Sequence, residues 1–206
     1  FHSRQADYLS GESGYPLYGH TETEYLSPGE KIFEKMLSEL KTAEKYIYLE
    51  FFILAEGFMW DSIHKILKEK AENGVEIKII FDDFGSIKRQ HKDFITKLRS
   101  EGIEVSVFNP IKPSLNIFMN NRNHRKIAVI DGKTAFTGGF NIGDEYINRM
   151  IRFGHWLDSG IMLKGAAVKS FLAMFCCMWE FTTKEQIDIS SRISDYETCD
   201  DGFVLP

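Results

Sequence analysis

Nine residues, Tyr46 to Leu54 (YIYLEFFIL), constrain the fold more than any other part of the chain. Only Glu50 interrupts the aromatic and β-branched run, so the segment predicts a strand covered on both faces. Such a strand belongs inside a sheet with helices on either side, and the surrounding sequence supplies both. Ser27-Pro28-Gly29-Glu30 reads as a helix start with Ser27 capping and Glu30 closing a capping box, followed by Ile32, Phe33, Met36, Leu37 and Leu40 at helical spacing. After the strand, Asp61 to Asn73 predicts a helix stopped by Gly74, Val75 to Phe81 a strand, Lys88 to Glu101 a helix closed by Gly102, and Ile103 to Phe108 a strand. This β-α-β-α-β order implies a sheet with a parallel portion.

The rhythm then changes. Pro110 to Asn123 is irregular, and its Leu115, Ile117, Phe118 and Met119, flanked by Lys112 and Arg122, either fold over the domain's own core or contact an anionic lipid surface. Arg125–Ile130 and Thr134–Thr137 predict two strands joined at Asp131-Gly132, with a further strand at Ile161–Leu163 and a helix over Ala166–Phe181. The fold class expected is α/β, a mixed β-sheet sandwiched by helices. Residues 1–28 read as a polar lead-in, 29–183 as the folded unit and 184–206 as an acidic linker.

Charge and cysteine usage bound the function classes. A formal net charge of −5 argues against a protein held to nucleic acid by its overall field. Three cysteines, two of them adjacent, are no disulfide framework. The densest apolar run, Phe171 to Trp179, is far shorter than the roughly 20 residues of a membrane helix. It reads as core, or as an interface with a membrane or a second half. The chain opens without Met, so a processed or excised piece is expected, and any membrane anchor lies elsewhere.

Chemistry concentrates between Asn123 and Tyr146 (NHRKIAVIDGKTAFTGGFNIGDEY). His124 and Lys126 are two apart on an expected strand and so share a face. An imidazole beside an ammonium suits in-line attack on a phosphodiester: the ring attacks phosphorus while the ammonium neutralises the phosphoryl oxygens. Gly138 and Gly139 would let backbone amides approach a phosphate, and Asn141 adds a neutral donor, so His124, Lys126 and Asn141 should converge on one anion-sized site. Asp131 has the opposite parity and either takes part or fixes the hairpin. A surface His and Lys on an ordinary hairpin is the bland alternative, and the glycine pair and Asn141 at fixed offsets weigh against it. Glu50 either pairs structurally or faces the site, since a buried carboxylate needs a partner. Asp82-Asp83-Phe84-Gly85-Ser86 ends a strand and forms either a turn or part of a ligand site.

The His124-x-Lys126-x4-Asp131 spacing followed by Gly138-Gly139-x-Asn141 resembles the phospholipase D superfamily, and within it the first half of bacterial cardiolipin synthases. YIYLEFFIL, GVEIKIIFDDFGS, GIEVSVFNP and Trp156-x-Asp158 follow that family in order over about residues 29 to 181. The resemblance implies one half of a pseudo-dimeric enzyme that forms a phosphohistidine and needs no metal or other cofactor. It also implies phosphatidylglycerol as donor and acceptor, glycerol as leaving group, and a setting at the cytoplasmic face of the cell membrane. Asp158 would then orient the nucleophilic imidazole, or be a loop-end carboxylate. His124 is the only histidine with Lys two residues on, so the second motif of the family is missing from this stretch. It would come from a longer chain or a homodimer mate. A single-motif homodimeric phosphodiesterase or nuclease is the alternative reading, and a non-catalytic lipid-binding half is a third.

Overall fold

In a computed structural model, which describes residues 2–87, 89–111, 121–152 and 154–206, Tyr46–Phe51 lies inside a seven-stranded mixed sheet. Chain order runs α1 (His2–Ser13), β1 (Thr21–Leu26), α2 (Gly29–Lys41), β2 (Tyr46–Phe51), α3 (Phe58–Glu72), β3 (Glu76–Asp82), the single turn α4 (Asp83–Ser86), α5 (Phe94–Ser100) and β4 (Glu104–Phe108). After residues 112–120 come β5 (Lys126–Ile130), β6 (Thr134–Gly138), a 3₁₀ turn (Asp144–Ile147), β7 (Gly160–Gly165) and α6 (Val168–Thr183). The apolar loop residues Leu115, Ile117, Phe118 and Met119, with Lys112, lie outside the described residues.

The sheet order is β1-β7-β6-β5-β2-β3-β4. β2, β3 and β4 are parallel, whereas β5 joins β2 antiparallel and β6, β7 and β1 continue that way. Every residue of β2 is buried because alternate side chains enter two different cores. Ile47, Leu49 and Phe51 pack under α2 and α3 with Met36, Leu40 and Ile63, while Tyr46 and Tyr48 pack under α6 with Phe171, Leu172 and Phe175. The Tyr48 and Phe175 rings stack at 4.7 Å. The expected α/β class, a mixed sheet between helical layers, is the observed one. Among the described residues no helix is long and apolar enough to cross a membrane.

Four boundaries differ from expectation. Residues 21–26 are not a lead-in: Thr21–Leu26 is the edge strand, paired in register with Gly160–Gly165, so the sheet begins before residue 29. Ser27 does not cap α2. Pro28 holds the cap position without a side-chain bond, Ser27 Oγ donates to the Asp158 carbonyl at 2.9 Å, and Glu30 accepts from Asn148. The helix expected over Lys88–Glu101 is confined to Phe94–Ser100, and the separate turn α4 precedes it, started by the Asp82 carboxylate, which accepts the Phe84 amide. Residues 184–206 also pack back rather than hang free. Arg192 reaches Tyr48 and Glu76, Ile187 and Ile189 pack partly on the α6-side core, and Val204 bridges to Tyr18.

Candidate active site

The parallel strands β2, β3 and β4 all finish at the sheet end where β5 and β7 begin, which is where open α/β sheets place their ligand sites. His124 sits there, but not on a strand: β5 starts at Lys126, and residues 121–125 are irregular. The two side chains nevertheless meet at one place, over the ring of Phe52 just past β2. The His124 ring lies 4.8 Å from that of Phe52, and Lys126 Nζ lies 5.5 Å from its centroid. Lys126 Nζ also donates to the His124 carbonyl at 2.7 Å.

Burial divides their roles. His124 is exposed, whereas Lys126 is only 3% exposed. Burial lowers the Lys126 ammonium to about 8, against the pull of the nearby Asp158 carboxylate. Burial, and then the charge of Lys126, lower the His124 imidazole below its ordinary value, opposed by Asp82. A neutral, accessible imidazole therefore stands beside a poorly hydrated cation at neutral pH.

Asp158, read either as an orienter of the imidazole or as a loop-end carboxylate, has Lys126 as a charge partner, its Oδ2 accepts from the Trp156 indole at 3.0 Å, and burial raises its carboxyl. The carboxylate whose field reaches His124 is Asp82, fixed by Phe84 N, Asn123 N at 3.2 Å and Arg122 at 3.3 Å.

Glu50 lies on the opposite face of the sheet, with Tyr48 and Ile127. Its Oε1 accepts from Asn123 Nδ2 at 2.6 Å and faces Arg125 Nη1 at 3.9 Å, while Oε2 is buried with no partner among the described residues. Burial raises this carboxyl to about 7. Of the two readings the structural pairing holds, but it grips the residues on both sides of His124. Held at 123 and 125, this irregular segment leaves His124 exposed between them.

Asn141, Gly138 and Gly139, expected to cradle a phosphate, make packing contacts within the fold. Asn141 Oδ1 accepts from Ile53 N at 3.0 Å and its amide reaches the Tyr146 hydroxyl, so it braces the loop that carries Phe52. The Gly139 amide is already bonded to the Ser159 carbonyl at 3.0 Å. A Cβ on Gly138 would lie 2.5 Å from that same carbonyl oxygen, and one on Gly139 would lie 2.9 Å from Asp158 Oδ1. The glycines allow β6 to approach the segment that delivers Asp158. Asp131 is removed from the chemistry. It lies at the far end of β5, where its carboxylate accepts the amides of Glu44, Lys45 and Tyr46 at 2.8 Å each.

The structure thus gathers His124, Lys126 and Asp158, adds Phe52, Asp82, Asn123 and Trp156, and places Glu50 and Asn141 behind them. Phe52 read as strand core, and only the chain reversal between β2 and β5 exposes its role. Alongside opens a cleft of about 380 Å³, bounded by His124, Arg125 and Lys126 at one end and by Leu163, Phe171 and Met174. A hollow of about 410 Å³ near Arg99 and Trp179 holds none of these groups.

Residues 36–171 match the family model for the cardiolipin synthase phospholipase D-like domain. Over 203 residues the chain is 41% identical to an uncharacterised protein of Streptococcus mutans, which covers 98% of this chain and 44% of that protein. A cardiolipin synthase of Alkalihalophilus pseudofirmus is 39% identical over 173 residues, 84% of this chain and 34% of the relative. The chain therefore spans less than half the length of these relatives. Nuc from Salmonella typhimurium, a phospholipase D family member, superposes with a TM-score of 0.58 at 18% identity over 78% of this chain and 95% of its own, a likeness of fold alone.

Proposed function

This chain belongs to the phospholipase D-like family of cardiolipin synthases, and from that premise we propose that it supplies one half of a phosphatidyl-transfer site. The observation that carries the reading is the pairing of an exposed imidazole, held neutral, with the buried Lys126 cation over one aromatic ring. A ring nitrogen of His124 attacks the phosphorus of phosphatidylglycerol. The new N–P bond forms as the P–O bond to glycerol breaks, and a second histidine, from the other half of the site, gives the departing oxygen its proton. That histidine then takes the proton of a second phosphatidylglycerol hydroxyl. The hydroxyl oxygen attacks phosphorus, breaks the N–P bond and forms cardiolipin. Lys126 balances charge on the non-bridging oxygens throughout, and Asp158 keeps the amine aimed.

The test is to trap the intermediate. With phosphate-labelled phosphatidylglycerol and a rapid alkaline quench, acid-labile label is expected on the peptide containing His124. A His124→Asn variant is expected to carry none and to lose transfer by about a thousandfold or more. Label that persists in that variant places the nucleophile elsewhere.

A further inference from the structure

Two neighbouring strands each carry a buried carboxylate to the reactive end of the sheet. Glu50 is the next-to-last residue of β2, and Asp82 is the last of β3. Glu50 pairs with Ile80, so Asp82 stands two residues further along the adjacent strand. Asn123 joins the two acids. Its main-chain N–H donates to Asp82 Oδ2 at 3.2 Å, its Nδ2 donates to Glu50 Oε1 at 2.6 Å, and its own Oδ1 accepts Arg125 N at 3.2 Å. Arg122 adds bonds to Asp82 at 3.3 Å and to the Asn109 carbonyl at 2.9 Å. Residues 121–125 belong to no strand or helix, so these side-chain bonds set the path of the chain through His124.

Holding Asn123 does not by itself call for a carboxylate. A neutral amide at position 50 would accept the same bond without the cost of a buried charge. Glu50 Oε2, buried without a partner among the described residues, adds to that cost. What the charge adds is Arg125, whose Nη1 stands 3.9 Å from Glu50 Oε1. One side chain thus fixes residue 123 by a hydrogen bond and draws residue 125 by charge. The charges that shift the His124 ring are those of Lys126 and Asp82, so Glu50 reaches the imidazole through its neighbours rather than through its field.

We propose that Glu50 is a positioning residue for the nucleophile: its buried carboxylate, linked through Asn123 to Asp82, holds the His124 imidazole where it attacks, and that alignment is lost when Glu50 takes up a proton. The inference rests on the proposed phosphatidyl transfer for the attack, and on geometry alone for the position. Burial raises this carboxyl to about 7, opposed by Asn123 and Arg125, so the change of state falls near neutrality. The other ionisable groups on this face of the sheet are otherwise engaged. Lys78 lies 2.5 Å from Glu104 and over the Trp179 ring, Glu76 is paired with Arg192, and Asp82 with Arg122. Burial keeps Tyr46 and Tyr48 neutral and pushes the Cys176 thiol up to about 12.

NMR of the His124 ring and single-turnover labelling with a nitrophenyl phosphodiester test it. In the unmodified chain the ring signals are expected to shift twice with pH, once for the imidazole's own proton and once near pH 7 for Glu50. Glu50→Gln is expected to remove the second step. At pH 8 it should slow labelling of His124 by roughly ten- to a hundredfold at an unchanged half-saturating donor concentration. The same variant is expected to melt no lower than the unmodified chain at pH 8, because a carboxyl raised in the folded state withdraws stability once ionised. A merely structural carboxylate would instead lose stability and rate together. Asn123→Ala is expected to slow labelling to a similar extent, and the double variant to be no slower than either single one. A single-step ring titration in the unmodified chain, unmodified labelling by Glu50→Gln, or losses that multiply in the double variant overturns the proposal. Should Glu50→Gln not fold, unmodified labelling by Asn123→Ala does the same. A chain that takes no label but keeps the Glu50-dependent step defeats phosphatidyl transfer and leaves the hold on His124 standing.

Discussion

A lysine 3% exposed, without a carboxylate in direct contact among the described residues, is an expensive residue to keep unless it has work to do. Burial drives the Lys126 amine down to about 8 and Asp158 offsets only part of that. The sign follows from the unfolded chain, where an ordinary lysine keeps its proton to about 10.4. Between about 8 and that value the unfolded state binds more protons, so native stability rises with pH across this window and is lowest below it. Lys126→Met is therefore expected to stabilise the fold by about 1–3 kcal/mol at pH 7, a gain that vanishes above pH ~10.5, while abolishing transfer. Denaturant titrations at pH 7 and pH 10.5 check the first half. Lysine Cε signals in NMR check the cause directly. One amine should titrate near pH 8 and move upward when a soluble phosphodiester is added; a Lys126 that titrates with the surface lysines would remove the stated basis for its role. Glu50 carries a cost of the same kind from the other face, since a carboxyl raised to about 7 withdraws stability as pH rises towards neutrality.

At the scale of elements, the β5–β6 hairpin does two separable jobs, one at each end. Its first residue, Lys126, reaches the site, and its turn residue, Asp131, holds the start of β2 through three amide hydrogen bonds. Removing that carboxylate orphans three donors at the edge of the core. Asp131→Ala is thus expected to cost about 2–4 kcal/mol of stability. Below its lowered Tm, it should leave the Lys126 titration and His124 phosphorylation per folded molecule unchanged. A stable Asp131→Ala protein that no longer forms phosphohistidine would return Asp131 to the chemistry. The central strands were legible in the sequence because burial on two faces leaves a near-continuous apolar run, and the hairpin because Asp131-Gly132 punctuates two such runs. β1 was not, because Thr21–Leu26 (TETEYL) is an edge strand that exposes Glu22, Thr23 and Tyr25 and carries no apolar run, so its pairing with β7 comes from tertiary context alone. The pairing of His124 with Lys126 was readable from spacing. The parts played by Asp82, Phe52 and the Glu50–Asn123 pair were not, because each depends on which strand lies beside which. The packing use of the glycines was hidden for a related reason: spacing shows that Gly138 and Gly139 permit close approach, but not that the segment leading into β7 would be the partner.

For the molecule as a whole, the decisive quantity is the number of histidines at one phosphorus. Within these 206 residues His124 alone is followed by Lys at the second position, and Lys126 and Asp82 are the charged groups whose fields reach it. Neither replaces a general acid that must protonate an alkoxide while the N–P bond forms: Lys126 is occupied with the phosphate, and the Asp82 carboxylate is already taken up by Phe84 N, Asn123 N and Arg122. Losing a positioned acid typically costs a factor of about a hundred to ten thousand. The isolated chain, held monomeric, is therefore expected to transfer phosphatidyl groups at that fraction of the rate of a form that supplies a second His-x-Lys half, while still becoming labelled at His124 by a donor with a good leaving group, which needs no acid. A chromogenic phosphodiester with a nitrophenolate leaving group separates the two steps: phosphorylation of His124 should be fast with it and slow with phosphatidylglycerol, and a second half should accelerate only the latter. Full phosphatidylglycerol transfer by a demonstrated monomer would overturn the two-histidine mechanism. Transfer confined to a dimer, with both copies of His124 required in mixed dimers carrying one His124→Asn subunit, would show that a twofold mate supplies the acid. Plasmid cleavage by that same dimer, absent in His124→Asn, would then make nucleic acid rather than lipid the substrate of the shared site.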